Sequence, residues 1–156
     1  MLSKNAQYIQ DFLLRHGIQT KVIELPDSTR TAEEAAKAIG CQVAQIVKSL
    51  IFRTKTTNRP ILVLASGVNR VMLEKIAAAC KEEIVKADAE FTREATGFAI
   101  GGIPPVGHAN KLETFIDEDL LKLQELWAAA GTPHAVFNIN SQSLVDLSGG
   151  KVLSIH

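Results

Sequence analysis

A segment rich in glycine and proline, Gly101-Gly-Ile-Pro-Pro-Val-Gly107, is the most unusual stretch of the sequence and the first candidate for chemistry. The glycines and prolines fix an irregular backbone, and the missing side chains let a ligand approach main-chain amides closely. Such a loop suits an oxyanion or a ribose. It is neither a Walker loop nor a dinucleotide fingerprint, because the residues and spacing that follow differ. From these residues alone, a plain structural turn and a ligand-binding loop both stay open.

Lys48 is the second candidate, because it lies in the middle of an otherwise apolar predicted strand. An unpaired buried ammonium is costly, so this side chain either points to solvent or is held at a functional concavity. Strand alternation puts Lys48 on one face with Ile46, Leu50 and Phe52, which is the more hydrophobic face. That placement favours a functional role, while an outward lysine on a half-exposed strand is the alternative.

The sequence shows no conventional nucleophile and no metal-binding motif. The four histidines lie far apart without a partner at metal spacing, so we expect no metal site. Cys41 and Cys80 are too few and too distant for a disulfide framework, and we expect both to be small apolar structural residues. No nucleophile elbow is present. A hydrolase built on this sequence would therefore position water, use a hydroxyl of the substrate itself and stabilise the oxyanion with backbone amides.

Hydrophobic periodicity and turn residues predict short helices interleaved with short strands. The predicted helices cover about 4–16, 31–39, 71–79, 88–96 and 141–147, and the predicted strands cover 21–25, 46–53, 60–65, 83–85, 112–116, 135–139 and 152–155. Residues 118–130 have helical composition, although Trp127 and the alanines after it could continue as a buried strand. Ser3 and Ser141 are expected N-caps, and Thr31 with Glu34 forms an expected capping box.

These elements predict one α/β domain of the α+β type spanning residues 1–156, with a mixed sheet. The strongest strand pair is a hairpin, 46–53 with 60–65, which argues against a doubly wound nucleotide-binding fold. No repeat or linker divides the chain.

The composition excludes several classes of protein. The 17 basic and 17 acidic residues balance, which argues against a protein that coats nucleic acid by bulk charge. No apolar run approaches the roughly 20 residues of a membrane span, and the N-terminus lacks a secretory signal, so we expect a cytoplasmic protein without a membrane partner. Residues 48–75 contain six basic residues and one acidic residue. This polarity indicates an anionic ligand or, alternatively, a solvated strand edge.

Three segments together resemble one known family. A Val47-Lys-Ser-Leu50 strand after a Thr-capped helix, the segment Thr96-Gly-Phe-Ala-Ile-Gly-Gly-Ile-Pro-Pro-Val-Gly-His108, and Phe115-Ile-Asp-Glu-Asp-Leu120 resemble the YbaK and prolyl-tRNA synthetase-associated editing domains. The similarity in order and spacing covers nearly the whole chain. It implies a compact domain with a mixed, partly barrel-like sheet surrounded by short helices. It also implies a trans-editing deacylase that hydrolyses the ester of a wrongly charged tRNA, with tRNA for proline an expected acceptor.

The resemblance also implies roles for particular residues. Lys48 would contact the aminoacyl ester or the terminal adenosine, and the amides of the loop that begins at Gly101 and Gly102 would hold the carbonyl and the ribose; these three form the implied catalytic set. The implied substrate-binding set is Thr31, Ser49, Ile103, Pro104, Pro105, Gly107, His108 and His134. The implied partners are the acceptor end of an aminoacyl-tRNA and a prolyl-tRNA synthetase, and no cofactor is implied.

The sequence departs from the members that hydrolyse cysteinyl-tRNA(Pro). Thr31 stands where those members carry an aromatic residue, and Ala129 stands where they carry a serine. Alanyl, seryl and threonyl esters are therefore expected substrates beside the cysteinyl ester. Two other functions stay open at this point: a binding module that keeps the pocket but does not hydrolyse, acting as a synthetase-associated regulator, and a hydrolase of another small acyl nucleotide. An intact lysine and an intact glycine loop favour catalysis.

Overall fold

The computed structural model describes residues 1–156 as five α-helices and eight β-strands. The helices are α1 (Lys4–Arg15), α2 (Ala32–Ile39), α3 (Leu73–Cys80), α4 (Ala89–Thr96) and α5 (Ser141–Ser148). The strands are β1 (Ile23–Glu24), β2 (Ile46–Thr54), β3 (Pro60–Ser66), β4 (Ile84–Lys86), β5 (Glu113–Asp117), β6 (Glu125–Ala129), β7 (Ala135–Asn140) and β8 (Lys151–Leu153). Short 3-10 helices cover Val43–Gln45 and Glu118–Lys122.

All eight strands belong to one mixed sheet, so the predicted α/β fold class is confirmed. The order is β1-β7-β6-β2-β3-β5-β8, and β4 pairs with β2 outside this path. The β2–β3 hairpin is antiparallel as predicted, whereas the β2–β6, β3–β5 and β5–β8 pairs are parallel. The order places β2 and β3 at the centre of the sheet.

Both faces of the central strands are buried, which explains why β3 reads as a continuous apolar run. Leu62 and Leu64 belong to a core that also contains residues of α1 and of strands β6 and β7. Ile61, Val63 and Ala65 pack on the other face into a second core that includes residues of α3. A smaller cluster fixes α2 against the start of β2. The strand that carries Lys48 is therefore held by packing on both sides.

Local signals placed most helix ends correctly. Thr31 and Glu34 form the predicted capping box, and Gly40 and Gly97 end α2 and α4 in the left-handed conformation. Ser3 occupies the predicted N-cap position of α1, but its side chain makes no cap hydrogen bond. The predicted cap at Ser141 is wrong, because α5 is capped by the side chain of Asn140, which accepts a hydrogen bond from Ser143 N at 2.7 Å.

The segment 118–130 resolves the alternative that its composition left open. Its first part is a 3-10 helix and its second part is strand β6, in which Leu126 and Ala128 are buried. Pairing with β2 and β7 and burial of alternate side chains outweigh the helical propensity of Glu, Leu and Ala. No helix has the length and apolar character needed to cross a membrane.

Candidate active site

A split in the sheet beside β2 creates the main cleft of the molecule. One edge of β2 pairs with β3 along its length, while the opposite edge pairs with β6 only at Ile46 and Val47 and with β4 only at Phe52 to Thr54. Strands β4 and β6 thus diverge and leave the middle of β2 without a neighbour. The residues between, 48–51, contribute to the wall of the cleft.

The cleft has a volume of about 1000 Å³ and receives residues from six parts of the chain. These parts are residues 29–39, strand β2, residues 67–73, residues 86–92, the loop 100–103, and residues of β6 and β7. A volume of this order lies at the upper end of the range for small-molecule binding clefts. Of the residues that the sequence nominated, Thr31, Lys48, Ser49, Gly101 and Ile103 line it.

Lys48 is half-buried in the cleft wall, and its ammonium donates a hydrogen bond to the main-chain oxygen of Asn69. Burial lowers the pKa of Lys48 from its usual value, while the nearby carboxylates of Glu33 and Asp117 act in the opposite direction and Arg70 lowers it further. The hydrogen-bond acceptor is a neutral carbonyl and no carboxylate pairs directly with the lysine. Its positive charge is therefore available to a ligand.

Three further cations surround the cleft: Arg30, Arg70 and Lys86. All three side chains are exposed, and none makes an ion pair or a side-chain hydrogen bond. Glu33 is the acidic residue among the lining residues. Excess positive charge at the mouth of a concave site attracts an anionic ligand.

The basic segment 48–75 does not form one patch, which corrects the simplest interpretation of its charge. Only Lys48 and Arg70 of its six basic residues line the cleft. Arg59 forms ion pairs with Glu82 and Glu113, and Lys55 lies 3.7 Å from Glu83. Hairpin residues far from the sheet centre are thus neutralised, whereas Arg30 and Lys86 join the site from outside the segment.

Ser49 lies at the gap between β4 and β6 and has polar groups without a partner in the protein. Its Oγ is buried and has no hydrogen-bond partner in the protein. In the hairpin, Gly67 N donates to Ile46 O and Thr54 N donates to Arg59 O, so even-numbered residues of β2 direct their main-chain groups toward β3. The N–H and C=O of Ser49 therefore point to the opposite edge, where neither β4 nor β6 pairs with it. Unpartnered buried polar groups are rare, and each calls for an explanation such as a bound ligand or an ordered water.

The glycine loop divides into a part that faces the cleft and a part that supports it. Gly101 and Ile103 line the cleft, and their main-chain N–H groups donate to no acceptor in the protein. Gly102 is buried, its N–H donates to Ala99 O at 3.2 Å, and a Cβ at this position would lie 2.6 Å from the main-chain carbon of Thr132. Among the residues of the loop 101–107 that line the cleft, Gly101 and Ile103 thus have free amides, and Gly102 is glycine because another segment packs against it.

The remaining loop residues lie outside the cleft lining. Pro104, Pro105 and Gly107 are buried, and a Cβ on Gly107 would lie 2.9 Å from a side-chain carbon of Ile9 in α1. His108 Nε2 lies 2.7 Å from Pro104 O, and burial lowers the pKa of its imidazole. Because the carbonyl can only accept, the neutral ring donates from Nε2. The structure thus gives His108 a role in closing the loop.

His134 is exposed and lies outside the cleft lining, so the structure does not bring it into the pocket where the sequence placed it. Its main chain is engaged, because His134 N donates to Thr132 Oγ1 at 3.1 Å and its carbonyl accepts from Leu25 N at 2.7 Å. The side chain follows Pro133 on the loop between β6 and β7, and the loop backbone faces Thr29 and Leu25.

Comparison with known proteins agrees with this geometry. The family model for the aminoacyl-tRNA editing domain matches residues 26–147, which include every cleft-lining element. The chain belongs to the aminoacyl-tRNA editing domain family. The family resemblance that the sequence motifs predicted is confirmed.

Individual relatives agree with this editing-domain assignment. YwhH of Bacillus subtilis strain 168, whose role is uncharacterised, is 29% identical over 134 residues, which cover 86% of this chain and 85% of that protein. A crystal structure described as a candidate trans-editing enzyme for prolyl tRNA synthetase is 46% identical, with a TM-score of 0.92, and the match covers 99% of this chain and 98% of that one.

Proline–tRNA ligases contain a similar segment. The ligase of Limosilactobacillus fermentum is 32% identical over 95 residues, which cover 58% of this chain and 16% of the ligase. This editing domain therefore corresponds to a small part of that ligase. The relationship connects the family to editing in prolyl-tRNA synthesis.

Sequence reasoning missed several residues of the site. Arg30, Glu33 and Lys86 carry no motif and enter the cleft only through the packing of α2 and β4 against β2. Trp127 lines the cleft because 125–129 is a strand beside β2. The alternating apolar residues of that strand were a usable signal.

A group of possible metal ligands also comes together only in the fold. Donor atoms of Asp117, Asp119 and His156 lie within 4.8 Å of one another. The oxygens of both carboxylates already accept hydrogen bonds from Asn69 and from neighbouring groups, so the cluster is accounted for within the protein.

Proposed function

We propose that this editing domain hydrolyses the ester bond between a small amino acid and the 3′ end of a mischarged tRNA, acting in trans with tRNA(Pro) as the acceptor. The 46% identity to the structure described as a candidate trans-editing enzyme for prolyl tRNA synthetase supports action in trans. The similarity to a segment of proline–tRNA ligases supports tRNA(Pro) and a prolyl-tRNA synthetase as partners. Residues 1–156 act as one domain in this proposal.

The observation that carries the proposal is the cleft at the split in the sheet. It combines a half-buried, unpaired ammonium, two free main-chain amides and a rim of three unpaired cations. An aminoacyl-tRNA end offers the complementary groups, namely an ester that becomes an oxyanion and phosphates that precede it. Arg30, Arg70 and Lys86 are placed to meet the phosphates of the acceptor end.

The reaction proceeds through attack of water on the ester carbonyl. A hydroxyl of the terminal ribose assists in this proposal. The cleft lining contains no cysteine, histidine or aspartate, and its carboxylate is that of the exposed Glu33. Lys48 and the amides of Gly101 and Ile103 stabilise the negative charge that develops on the carbonyl oxygen. Holding ester and water in a fixed arrangement lowers the entropic part of the barrier. The products are the free amino acid and the tRNA with its terminal hydroxyl restored.

The amino acid occupies the gap next to Ser49. Short side chains of β6 and β7, among them Ala128, Ala129 and Val136, contribute to the cleft lining, which suits a small residue. The main-chain oxygen and the hydroxyl of Ser49 can accept hydrogen bonds from an α-ammonium group. A pocket that admits a small residue discriminates by about 1 to 3 kcal/mol per methylene, so exclusion of proline depends on its shape and on its secondary amine.

The deciding experiment is a deacylation assay with alanyl-, seryl-, threonyl- and cysteinyl-tRNA(Pro). Wild type is compared with Lys48→Ala and with Lys37→Ala, a control that removes an exposed lysine of α2 outside the cleft. We expect at least one ester to be hydrolysed by wild type and Lys37→Ala but not by Lys48→Ala. Tight binding of an aminoacyl-tRNA without hydrolysis of any ester would contradict the proposal and identify a binding module.

A further inference from the structure

The oxygen that accepts the hydrogen bond from Lys48 belongs to a residue that is itself held unusually firmly. Asn69 lies in the segment between β3 and α3, and its main-chain N–H donates to Ser66 O at 3.0 Å. Its side-chain Nδ2 donates to Asp117 Oδ2 at 2.7 Å and to Asp119 Oδ2 at 2.8 Å. Since carboxylates can only accept, the amide has a single consistent orientation. Both of its protons are used.

The two carboxylates that hold Asn69 are fixed in turn. Asp117 is fully buried at the end of β5, where its oxygens accept hydrogen bonds from Ser66 N at 3.0 Å and Asp119 N at 2.9 Å. Asp119 accepts hydrogen bonds from Lys122 and His156, both at 2.9 Å. These contacts with Lys122, Asn69 and His156 hold the pKa of Asp119 well below its usual value. Asp119 therefore stays ionised at neutral pH.

The start of the segment between β3 and α3, at Gly67, packs against Val43 and the first residue of α2, Ala32. A Cβ on Gly67 would lie 2.3 Å from Val43 O and 2.9 Å from the Cβ of Ala32. The segment that carries the acceptor for Lys48 is thus fixed at Gly67 by packing and at Asn69 by hydrogen bonds. The two carboxylates accept hydrogen bonds from the side-chain amide of Asn69 and not from Lys48. The ammonium of Lys48 therefore forms no ion pair with them and donates to a neutral carbonyl.

We propose that Asn69 is a positioning residue for Lys48: its side chain, clamped between Asp117 and Asp119, fixes the main-chain oxygen that orients the Lys48 ammonium toward the cleft. Asn69 does not touch the substrate and acts only through the lysine. This inference rests on the proposed function for its effect on rate, whereas the ordering of Lys48 by Asn69 does not depend on any substrate.

The test compares Asn69→Ala with wild type and with Val68→Ala, which truncates an adjacent exposed side chain that makes no side-chain hydrogen bond and does not line the cleft. The first measurement is the NMR order parameter of the Lys48 side chain in protein labelled with ¹³C at lysine Cε, assigned with Lys48→Met. We expect the order parameter to fall in Asn69→Ala and to stay at the wild-type value in Val68→Ala. An unchanged order parameter in folded Asn69→Ala would overturn the proposal.

The second measurement is deacylation of the ester that wild type hydrolyses best. Displacement of a charged group by about 1 Å costs on the order of 100-fold in rate, so we expect kcat of Asn69→Ala to fall by about 10- to 100-fold with little change in KM. Asn69→Ser, which keeps one donor for the carboxylates, should lie between and replaces Asn69→Ala if that variant does not fold. Equal kcat values in wild type, Asn69→Ala and Asn69→Ser would also count against the inference. If wild type hydrolyses no ester, the proposed function fails and the order parameter alone decides the role of Asn69.

Discussion

Strand β2 and the loop 101–107 contribute to the same cleft in different ways. The strand contributes Lys48 and Ser49 to the cleft lining because the sheet splits beside it, while packing on both faces holds its backbone in place. The loop was the more unusual of the two segments in the sequence, yet many of its residues are buried in the protein. Gly107 packs against α1, and Gly102 packs against the main chain of Thr132. Irregular composition therefore marks a backbone constraint, and only topology determines which residues of that backbone face a ligand.

The largest difference between the two regions should appear in Lys48→Met. We expect the deacylation rate to fall by at least about 100-fold, because the variant loses the charge to which we assign oxyanion stabilisation. The thermal unfolding midpoint should stay within a few degrees of wild type, since the lysine makes one hydrogen bond and its burial as an ion is unfavourable. A rate within about threefold of wild type would remove Lys48 from the mechanism, and differential scanning calorimetry supplies the stability control.

Substitution of Gly102 in the loop should lower stability, whereas substitution of Lys48 in the strand should lower the rate. The Cβ of Gly102→Ala would meet backbone atoms of Thr132 at 2.6 to 2.9 Å, and backbone cannot move aside as a flexible side chain can. We expect the free energy of unfolding to fall by roughly 2 to 3 kcal/mol, as for other overpacked sites. Urea denaturation measures this change, and a loss below about 0.5 kcal/mol would show that the 102 and 132 segments separate easily.

Gly101→Ala is the matched comparison for Gly102→Ala. A Cβ at position 101 meets only the flexible side chain of Arg30, at 3.2 Å and beyond, although the backbone angle φ of +99° is strained for alanine. The stability cost should therefore be smaller, about 1 to 2 kcal/mol. Because Gly101 faces the cleft, the folded variant should lose more activity than folded Gly102→Ala. The reverse ranking would place the catalytic amides elsewhere in the loop.

Much of the fold could be predicted from the sequence because its signals are local. The capping box at Thr31, the glycines that end α2 and α4, and the polar segment 54–59 that joins β2 and β3 into a hairpin depend on residues a few positions apart. The site was predictable only where it coincided with a motif, as for Lys48 and Gly101. The contributions of Arg30, Lys86 and Asn69 depend on which strands flank β2 and on where β5 ends. Such long-range pairings leave no periodicity near these residues.

Thr31 both caps α2 and lines the cleft, so its substitution should have a moderate effect on stability. Its Oγ1 accepts a hydrogen bond from Glu34 N at 3.1 Å, and Glu34 Oε1 accepts one from Thr31 N at 3.2 Å. Thr31→Ala should lower the free energy of unfolding by about 1 kcal/mol, while Thr31→Ser should retain the cap. If the hydroxyl also contacts substrate, Thr31→Ser keeps the wild-type rate and Thr31→Ala does not. Equal stability of both variants would contradict the capping argument.

The smallest effect concerns His108, which closes the loop rather than meeting the ligand. Burial holds its pKa below the ordinary value of 6.5, so the unfolded chain binds a proton more readily than the folded protein does. Its contribution to stability is therefore fully present above about pH 6.5 and is lost as the pH falls through the folded-state pKa. His108→Gln cannot titrate at this position, so its free energy of unfolding should decline less than that of wild type between pH 7 and pH 5. Urea titrations across that range measure the difference, and parallel curves would show that protonation of His108 is not coupled to folding. We expect protonation of His108 to change the free energy of unfolding but not kcat. That result would distinguish His108, which supports the loop, from Gly101 and Ile103, which line the cleft.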